Sequence, residues 1–133
     1  MKKNIDNKWD IDLAFGEKYE DSLGEILQLG KIEVKTERDK WKSTGNIYVE
    51  LACRGALSGL VTTKADWWAT ILTFGGVIEG VILLPTELMK QRVENLIRKK
   101  IARYPTAGGD DNRSVGALIP IKELIDAKSI ETI

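Results

Sequence analysis

The apolar residues in the first part of the chain repeat with the period of a helix. Residues 15–29 read FGEKYEDSLGEILQL, and their apolar side chains fall on one side at helical spacing. Gly30 follows at the position where helices commonly end. At about 100° per residue, Glu20 lies at the margin of the apolar stripe and Asp21 points nearly opposite to it. We therefore expect Glu20 to look along the surface towards a sheet edge and Asp21 to face water.

Two later segments alternate apolar and polar residues, as half-buried strands do. Lys31–Glu37 places Ile32 and Val34 on one face, which we expect to be the inward face. Ile47–Ala52 repeats the alternation after a polar loop and a turn signal. Because the connection is short, these two strands are predicted to form an antiparallel pair.

The remaining pattern predicts further strands and a second long helix. Residues 54–74 read as a loop followed by an aromatic-rich strand, Gly75-Gly76 as a hairpin turn and 77–85 as an interior strand. Thr86 is a good N-cap for a helix from Glu87 to about Arg103, and a polar loop, a short strand and a small helix follow. The prediction is one α/β domain over residues 1–133, with a mixed β-sheet flanked by helices.

Composition changes this picture mainly by what it excludes. The chain has no histidine, which excludes Ser-His-Asp and Cys-His hydrolysis and His-ligated zinc. Its single cysteine, Cys53, cannot form an intrachain disulfide, which suits a reducing compartment. The N-terminal residues lack the apolar core of a signal peptide, and the longest apolar run is too short to span a bilayer. We expect a soluble cytosolic protein with no membrane partner.

Glu33 and Lys35 form a Glu-x-Lys pair on one face of the first strand, about 7 Å apart by strand geometry. Carboxylates are hard ligands that suit Mg²⁺, and a lysine beside the metal helps to orient the attacking water and to balance charge in phosphodiester hydrolysis. A further carboxylate ligand is needed, and Glu20 is the first choice and Glu50 the second. Charged pairs also stabilise ordinary exposed strands, so the spacing alone fits a solvated face as well.

Basic residues are unevenly distributed although the net charge is zero. Residues 90–104 carry six bases against one acid, so one face can meet a polyanion, or simply be a solvated helix face. Hydroxyl and amine groups before the aromatic-rich strand can also hold phosphates. The candidates for DNA contact are Ser58, Lys64, Arg98, Lys99 and Arg103. Trp41, in a loop where burial is difficult, is a candidate for contact with DNA or a partner subunit.

The order of a helix with Glu20, a strand IEVK and a strand GNIYVE resembles the PD-(D/E)XK nuclease superfamily. The segments GEKYEDSLGEIL, STGNIYVEL and GALSGLVTTKADWW resemble small phage-encoded members of it. The resemblance implies a restriction-endonuclease-like core, with Glu33 as a metal ligand, Lys35 as the catalytic lysine and Glu20 as the helical acid of members like Holliday junction resolvases. It implies a DNA endonuclease that depends on Mg²⁺, accepts Mn²⁺ in its place and acts in the cytosol of the infected host. A domain this small favours a homodimer in which each subunit cuts one strand.

One departure from the superfamily pattern leaves the ligand set open. The superfamily usually places an aspartate on a strand before the Glu-x-Lys strand, whereas here the predicted helix runs almost directly into it. Asp10 or Asp12 on an N-terminal strand, Asp21, Glu20 or Glu50 are the alternatives for that ligand. Without it, the protein is a catalytically silent DNA-binding or assembly module on the same fold, or a structural phage protein whose charged strand faces water.

Overall fold

The computed structural model describes residues 3–109 and 112–126, with side chains from residue 12 onward. The chain divides into two compact units, one through Lys31 and one from Ile32. The first unit consists of helix α1 (Lys3–Leu29), which contains the predicted helix. An N-terminal strand carrying Asp10 or Asp12 is therefore wrong, because α1 includes both residues. None of the described helices is long and apolar enough to cross a membrane.

The second unit alternates strands with short helices. Its elements are β1 (Ile32–Arg38), α2 (Lys40–Thr44), β2 (Asn46–Cys53), β3 (Ala56–Leu57), a 3-10 turn (Gly59–Val61), β4 (Trp67–Phe74), β5 (Val77–Pro85), α3 (Thr86–Arg98), β6 (Arg103–Gly108), β7 (Ser114–Pro120) and α4 (Ile121–Leu124). The predicted mixed α/β class is confirmed at this level.

The described strands form two sheets, where the sequence predicts one mixed sheet. The first sheet has the order β1-β4-β5, with β1 parallel to β4 and β4 antiparallel to β5. The second has the order β3-β2-β7-β6, with antiparallel neighbours. The predicted β1–β2 pair is wrong, because the two strands belong to different sheets. Strand β5 is an edge strand rather than an interior one, although the Gly75-Gly76 turn before it forms as predicted, with φ of 59° and 82°.

The core combines side chains from both sheets and α3. Ile47 and Val49 of β2 are buried, together with Trp68 of β4 and Leu96 of α3. Helix α3 ends at Arg98 rather than Arg103, so Arg103 lies at the start of β6. The N–H groups of residues 101 and 102 both donate to the Leu96 carbonyl, which closes the helix end. At the other end, Pro85 holds the N-cap position, and the predicted capping role of Thr86 is wrong.

The charged face of β1 is the one that points to the inside of the second unit, opposite to the prediction. Glu33, Lys35 and Glu37 stand in register with Trp68, Thr70 and Leu72 of β4, and those three residues are buried. Residues in register on neighbouring strands share a face, so the charged side chains lie on the face that packs inward. Val34, on the other face, is 51% exposed within the chain.

Candidate functional site

Glu33 and Lys35 form an ion pair on the inward face of β1. The Lys35 Nζ lies 3.4 Å from Glu33 Oε2, and the two side chains are 45% and 38% exposed. The same ammonium lies 5.8 Å from the centroid of the Trp68 ring. The ion pair adds little stability at this exposure, because solvent screens it. Its effect is on position, since a carboxylate and an ammonium are held together on a rigid strand.

Glu50 is the second carboxylate of the site and lies on β2. A register shift between Glu50 and Ala52 marks a bulge in the β2–β7 pairing at this point. Ser58 Oγ donates a hydrogen bond of 2.8 Å to Glu50 Oε2. Gly59, with a φ of 56°, lies so close that an added Cβ would stand 2.2 Å from the Glu50 carbonyl oxygen. A left-handed glycine is therefore what lets the chain pack against Glu50.

Residues 58–63, here called the bridging segment, contact both carboxylates. Ser58 at one end binds Glu50, and the Thr63 hydroxyl at the other end donates to Glu33 Oε1 at 3.3 Å. Leu60, between them, is buried in the core and fixes the segment to the second unit. The segment thereby ties the two strands at the points where their acids lie. Sequence reasoning assigned Ser58 to DNA and did not single out Thr63 as a partner of Glu33.

A cavity of about 210 Å³ with several charged and polar side chains in its lining lies between the two sheets. It is lined from β1 by Lys35 and Glu37 and from β2 by Tyr48 and Glu50. Trp68 of β4 and Ser114 of β7 also line it, together with Thr36 and Gly109. The structure therefore brings Lys35 and Glu50 to one cavity, with Glu33 joined to it through the Lys35 ion pair.

Glu37 is a site residue that the sequence-based assignment omitted. Its Oε1 accepts a hydrogen bond of 2.9 Å from the backbone N–H of Tyr48. Burial raises the pKa of the Glu37 carboxyl, and the hydrogen bond from Tyr48 opposes this shift with a smaller effect. The available signal was a second acid on the same strand face, at the same two-residue spacing after Glu33 and Lys35.

Glu20 and Asp21 lie on α1 and are exposed within the first unit. The approach of Glu20 to Glu33 stays a prediction, as does any role of Asp21. The side chain of Asp10 lies outside the described residues. Across the part of the chain whose side chains are described, no three acidic or cysteine side chains group together as a metal site.

The donor chemistry at Glu33 and Glu50 nevertheless suits magnesium. Mg²⁺ commonly takes one or two protein carboxylates and keeps water or phosphate oxygens as its other ligands. Each of these carboxylates already accepts one hydroxyl hydrogen bond from the bridging segment, which restricts its orientation. The two carboxylates with their hydroxyl neighbours therefore offer hard oxygen donors of the kind that Mg²⁺ and Mn²⁺ require.

The candidate DNA contacts are spread over several elements. Arg98 closes α3, where it donates to Asn95 Oδ1 at 2.8 Å and lies 3.9 Å from Glu94. Lys99 is the C-cap residue of α3, and Lys64 is exposed in the loop before β4. These positions present positive charge at the surface, and their role in DNA contact stays a prediction.

Trp41 is partly buried and packs against the core of the second unit, and its contact with DNA or a partner subunit stays a prediction. Its Nε1–H donates a hydrogen bond of 2.6 Å to the Thr73 carbonyl, and its ring packs against the core. The short helix α2, which the sequence did not predict, turns the ring inward. Trp41 therefore fastens α2 to β4.

No protein-family model matches the chain, and no curated protein or solved structure matches it. The likeness to PD-(D/E)XK nucleases thus rests on the quoted sequence segments. What the structure adds is independent of that likeness: Lys35 and Glu50 line one cavity, and Glu33 is paired with Lys35.

Proposed function

We propose that this protein is a metal-dependent DNA endonuclease with a PD-(D/E)XK-type site. The observation that carries the proposal is the arrangement of Glu33, Lys35 and Glu50. They come from two strands of different sheets, yet Lys35 and Glu50 line one cavity and Lys35 Nζ lies 3.4 Å from the Glu33 carboxylate. A solvated strand face gives no reason for its charges to point between two sheets, whereas an active site does.

Glu33 and Glu50 would hold Mg²⁺ or Mn²⁺, with Glu20 as a further predicted ligand. When bound, the metal supplies positive charge to the phosphate oxygens and lowers the pKa of a bound water. Lys35 orients the attacking water and balances the negative charge that develops on the phosphate. The ring of Trp68 beside Lys35 limits where the ammonium can move.

The DNA backbone would be held by the basic residues outside the cavity. Lys64, Arg98, Lys99 and Arg103 neutralise phosphates and read no sequence, so they make affinity depend on salt. A dimer with two such sites would cut both strands of a duplex, one strand per subunit. This part of the proposal predicts that neutralising these residues weakens binding to all sequences by similar factors.

A cleavage assay with paired variants tests the proposal. Plasmid, linear duplex and four-way-junction DNA are incubated with Mg²⁺, Mn²⁺ or EDTA. The variants are Glu33→Gln, Lys35→Ala and Glu50→Gln, with the exposed Lys40→Ala and Glu87→Gln as matched controls. We expect metal-dependent cleavage that falls about 10²-fold or more in each site variant and is unchanged in the controls.

The outcomes separate the alternatives. DNA binding that persists in all variants, with no cleavage by the unmodified protein, would contradict the endonuclease function and support a catalytically silent DNA-binding module. Absence of both DNA binding and cleavage would support the remaining alternative, a structural phage protein. Cleavage that survives in Lys35→Ala would remove the lysine from the mechanism.

A further inference from the structure

One hydrogen bond joins β1 to β2, although no strand ladder connects them in the described residues. Strand β1 pairs with β4, whereas β2 pairs with β3 and β7. The carboxylate of Glu37 reaches from β1 and accepts the backbone N–H of Tyr48 at 2.9 Å. A side-chain oxygen therefore accepts here the hydrogen bond that a backbone carbonyl accepts in a strand ladder.

The position of this bond matches the positions of the proposed catalytic groups. Lys35 lies two residues before Glu37, and Glu50 lies two residues after Tyr48. Since side chains two apart on a strand share a face, all four residues look into the same space. They do line one cavity. The hydrogen bond between Glu37 and Tyr48 thus lies next to both proposed catalytic groups along their strands.

Tyr48 is itself held on the far side of the cavity, so it is a firm anchor. Its hydroxyl forms a short hydrogen bond with Ser114 Oγ. Its ring lies close to two glycines, since a Cβ on Gly108 would come 2.5 Å from Tyr48 Cζ and one on Gly116 would come 2.8 Å from it. The ring cannot move towards β6 or β7 without a collision, which leaves Glu37 to fix the β1 side.

Stability alone does not explain an acid at position 37. Burial disfavours the charged form of this carboxyl and raises its pKa, whereas an apolar side chain would avoid that cost. The carboxylate does what an apolar side chain cannot, which is to accept the Tyr48 N–H across the gap. This supports a role for Glu37 in positioning β1 relative to β2.

We propose that Glu37 is a positioning residue that holds Lys35 and Glu50 at their working separation through the Tyr48 N–H. The proposal rests on the proposed endonuclease function for its kinetic consequence. Its structural content, a strand spacing set by a side-chain acceptor, is measurable without any cleavage.

The test compares Glu37→Gln with Glu37→Ala, because glutamine keeps the acceptor oxygen and alanine removes it. Glu79→Ala is the control, since Glu79 is an acid of the same sheet whose ion pair with Lys42 lies at 2.8 Å on the surface. We expect kcat to fall about 10²-fold in Glu37→Ala with little change in KM, and to be largely restored in Glu37→Gln. Loss of activity in both variants alike would overturn the positioning role in favour of a need for the charge.

Hydrogen exchange and NMR shifts give the readout that does not depend on cleavage. The Tyr48 amide should exchange faster in Glu37→Ala than in Glu37→Gln or Glu79→Ala, and the side-chain resonances of Lys35 and Glu50 should shift in the alanine variant only. An unchanged Tyr48 amide, or unchanged Lys35 and Glu50 resonances, in a folded Glu37→Ala protein would overturn the proposal. If the unmodified protein does not cleave DNA but these changes occur, the endonuclease function fails and the positioning role stands.

Discussion

The Thr63 hydroxyl donates a hydrogen bond of 3.3 Å to Glu33, thirty residues earlier in the chain. The same oxygen accepts the N–H of Ala65 at 3.2 Å, so it both orients the carboxylate and closes its own turn. Together with the Ser58–Glu50 bond, this contact makes the bridging segment a support for both acids of the site.

Replacement of Thr63 by valine tests that support. Thr63→Val keeps the shape of the side chain and removes both hydrogen bonds, so we expect the free energy of unfolding to fall by about 1–2 kcal/mol. The proposed cleavage rate should fall by a larger factor than this modest destabilisation explains. Urea denaturation and cleavage kinetics measure the two effects. Thr63→Ser should restore both, and Thr62→Val, on the exposed neighbour, is the control; equal effects at positions 62 and 63 would contradict the assignment.

Gly59 and Gly55 provide a matched pair for the packing against Glu50. Both have positive φ, 56° and 81°, so alanine is strained at each. At Gly59 the new Cβ would also stand 2.2 Å from the Glu50 carbonyl oxygen, whereas at Gly55 nothing lies within 4 Å. We therefore expect Gly59→Ala to lower the free energy of unfolding by about 1–3 kcal/mol more than Gly55→Ala does. Equal losses of unfolding free energy in the two variants, measured by chemical denaturation, would show that the close contact with the Glu50 carbonyl adds no cost.

The pKa of Glu37 makes stability depend on pH in a defined direction. Burial raises that pKa above its ordinary value of 4.5 in the folded protein, so the folded state binds the proton more tightly than the unfolded chain does. Glu37 therefore lowers the free energy of unfolding as pH rises from 4.5 through the folded pKa, and its destabilising effect is complete above that pKa. The effect is relieved as the pH falls back towards 4.5.

Glu37→Gln should remove this contribution while keeping the acceptor for Tyr48. We expect the variant to be at least as stable as the unmodified protein at neutral pH, and the difference between the two to shrink as the pH falls towards 4.5. Denaturation curves over this range measure it. A difference that grows with acidification would mean that the carboxylate is stabilised by folding.

Trp41 offers a test of its structural role against a surface role. Trp41→Phe keeps most of the packing and removes the hydrogen bond to the Thr73 carbonyl, so we expect a loss of about 1–3 kcal/mol in the free energy of unfolding, because a partly buried carbonyl is left without this donor. Trp41→Ala should cost about 3–5 kcal/mol. Thermal or chemical denaturation gives both values. Full stability in both variants, with weaker DNA binding, would return Trp41 to the surface role.

The sequence by itself determined the local elements. Helical spacing from Phe15 to Leu27 predicted α1, alternation predicted β1 and β2, and Gly75-Gly76 predicted the β4–β5 turn. These signals are local, because the period of apolar residues and the backbone freedom of glycine act within a few residues. They also identified Glu33 and Lys35 as candidate site residues, because their two-residue spacing places them on one strand face.

The tertiary structure alone decided which face of β1 looks inward and which strands are neighbours. Alternation in β1 separates Val34 from Lys35 but carries no information about which side another layer covers. The pairing with β4 decided which face of β1 looks inward. Trp68, Thr70 and Leu72 of β4 are buried, and they stand in parallel register with the charged residues of β1. The contacts of Glu33 with Thr63, Glu37 with Tyr48 and Glu50 with Ser58 depend on how segments from two sheets pack together. Packing of that kind is set by the shape and burial of the whole second unit, so the spacing of residues along the chain does not reveal it.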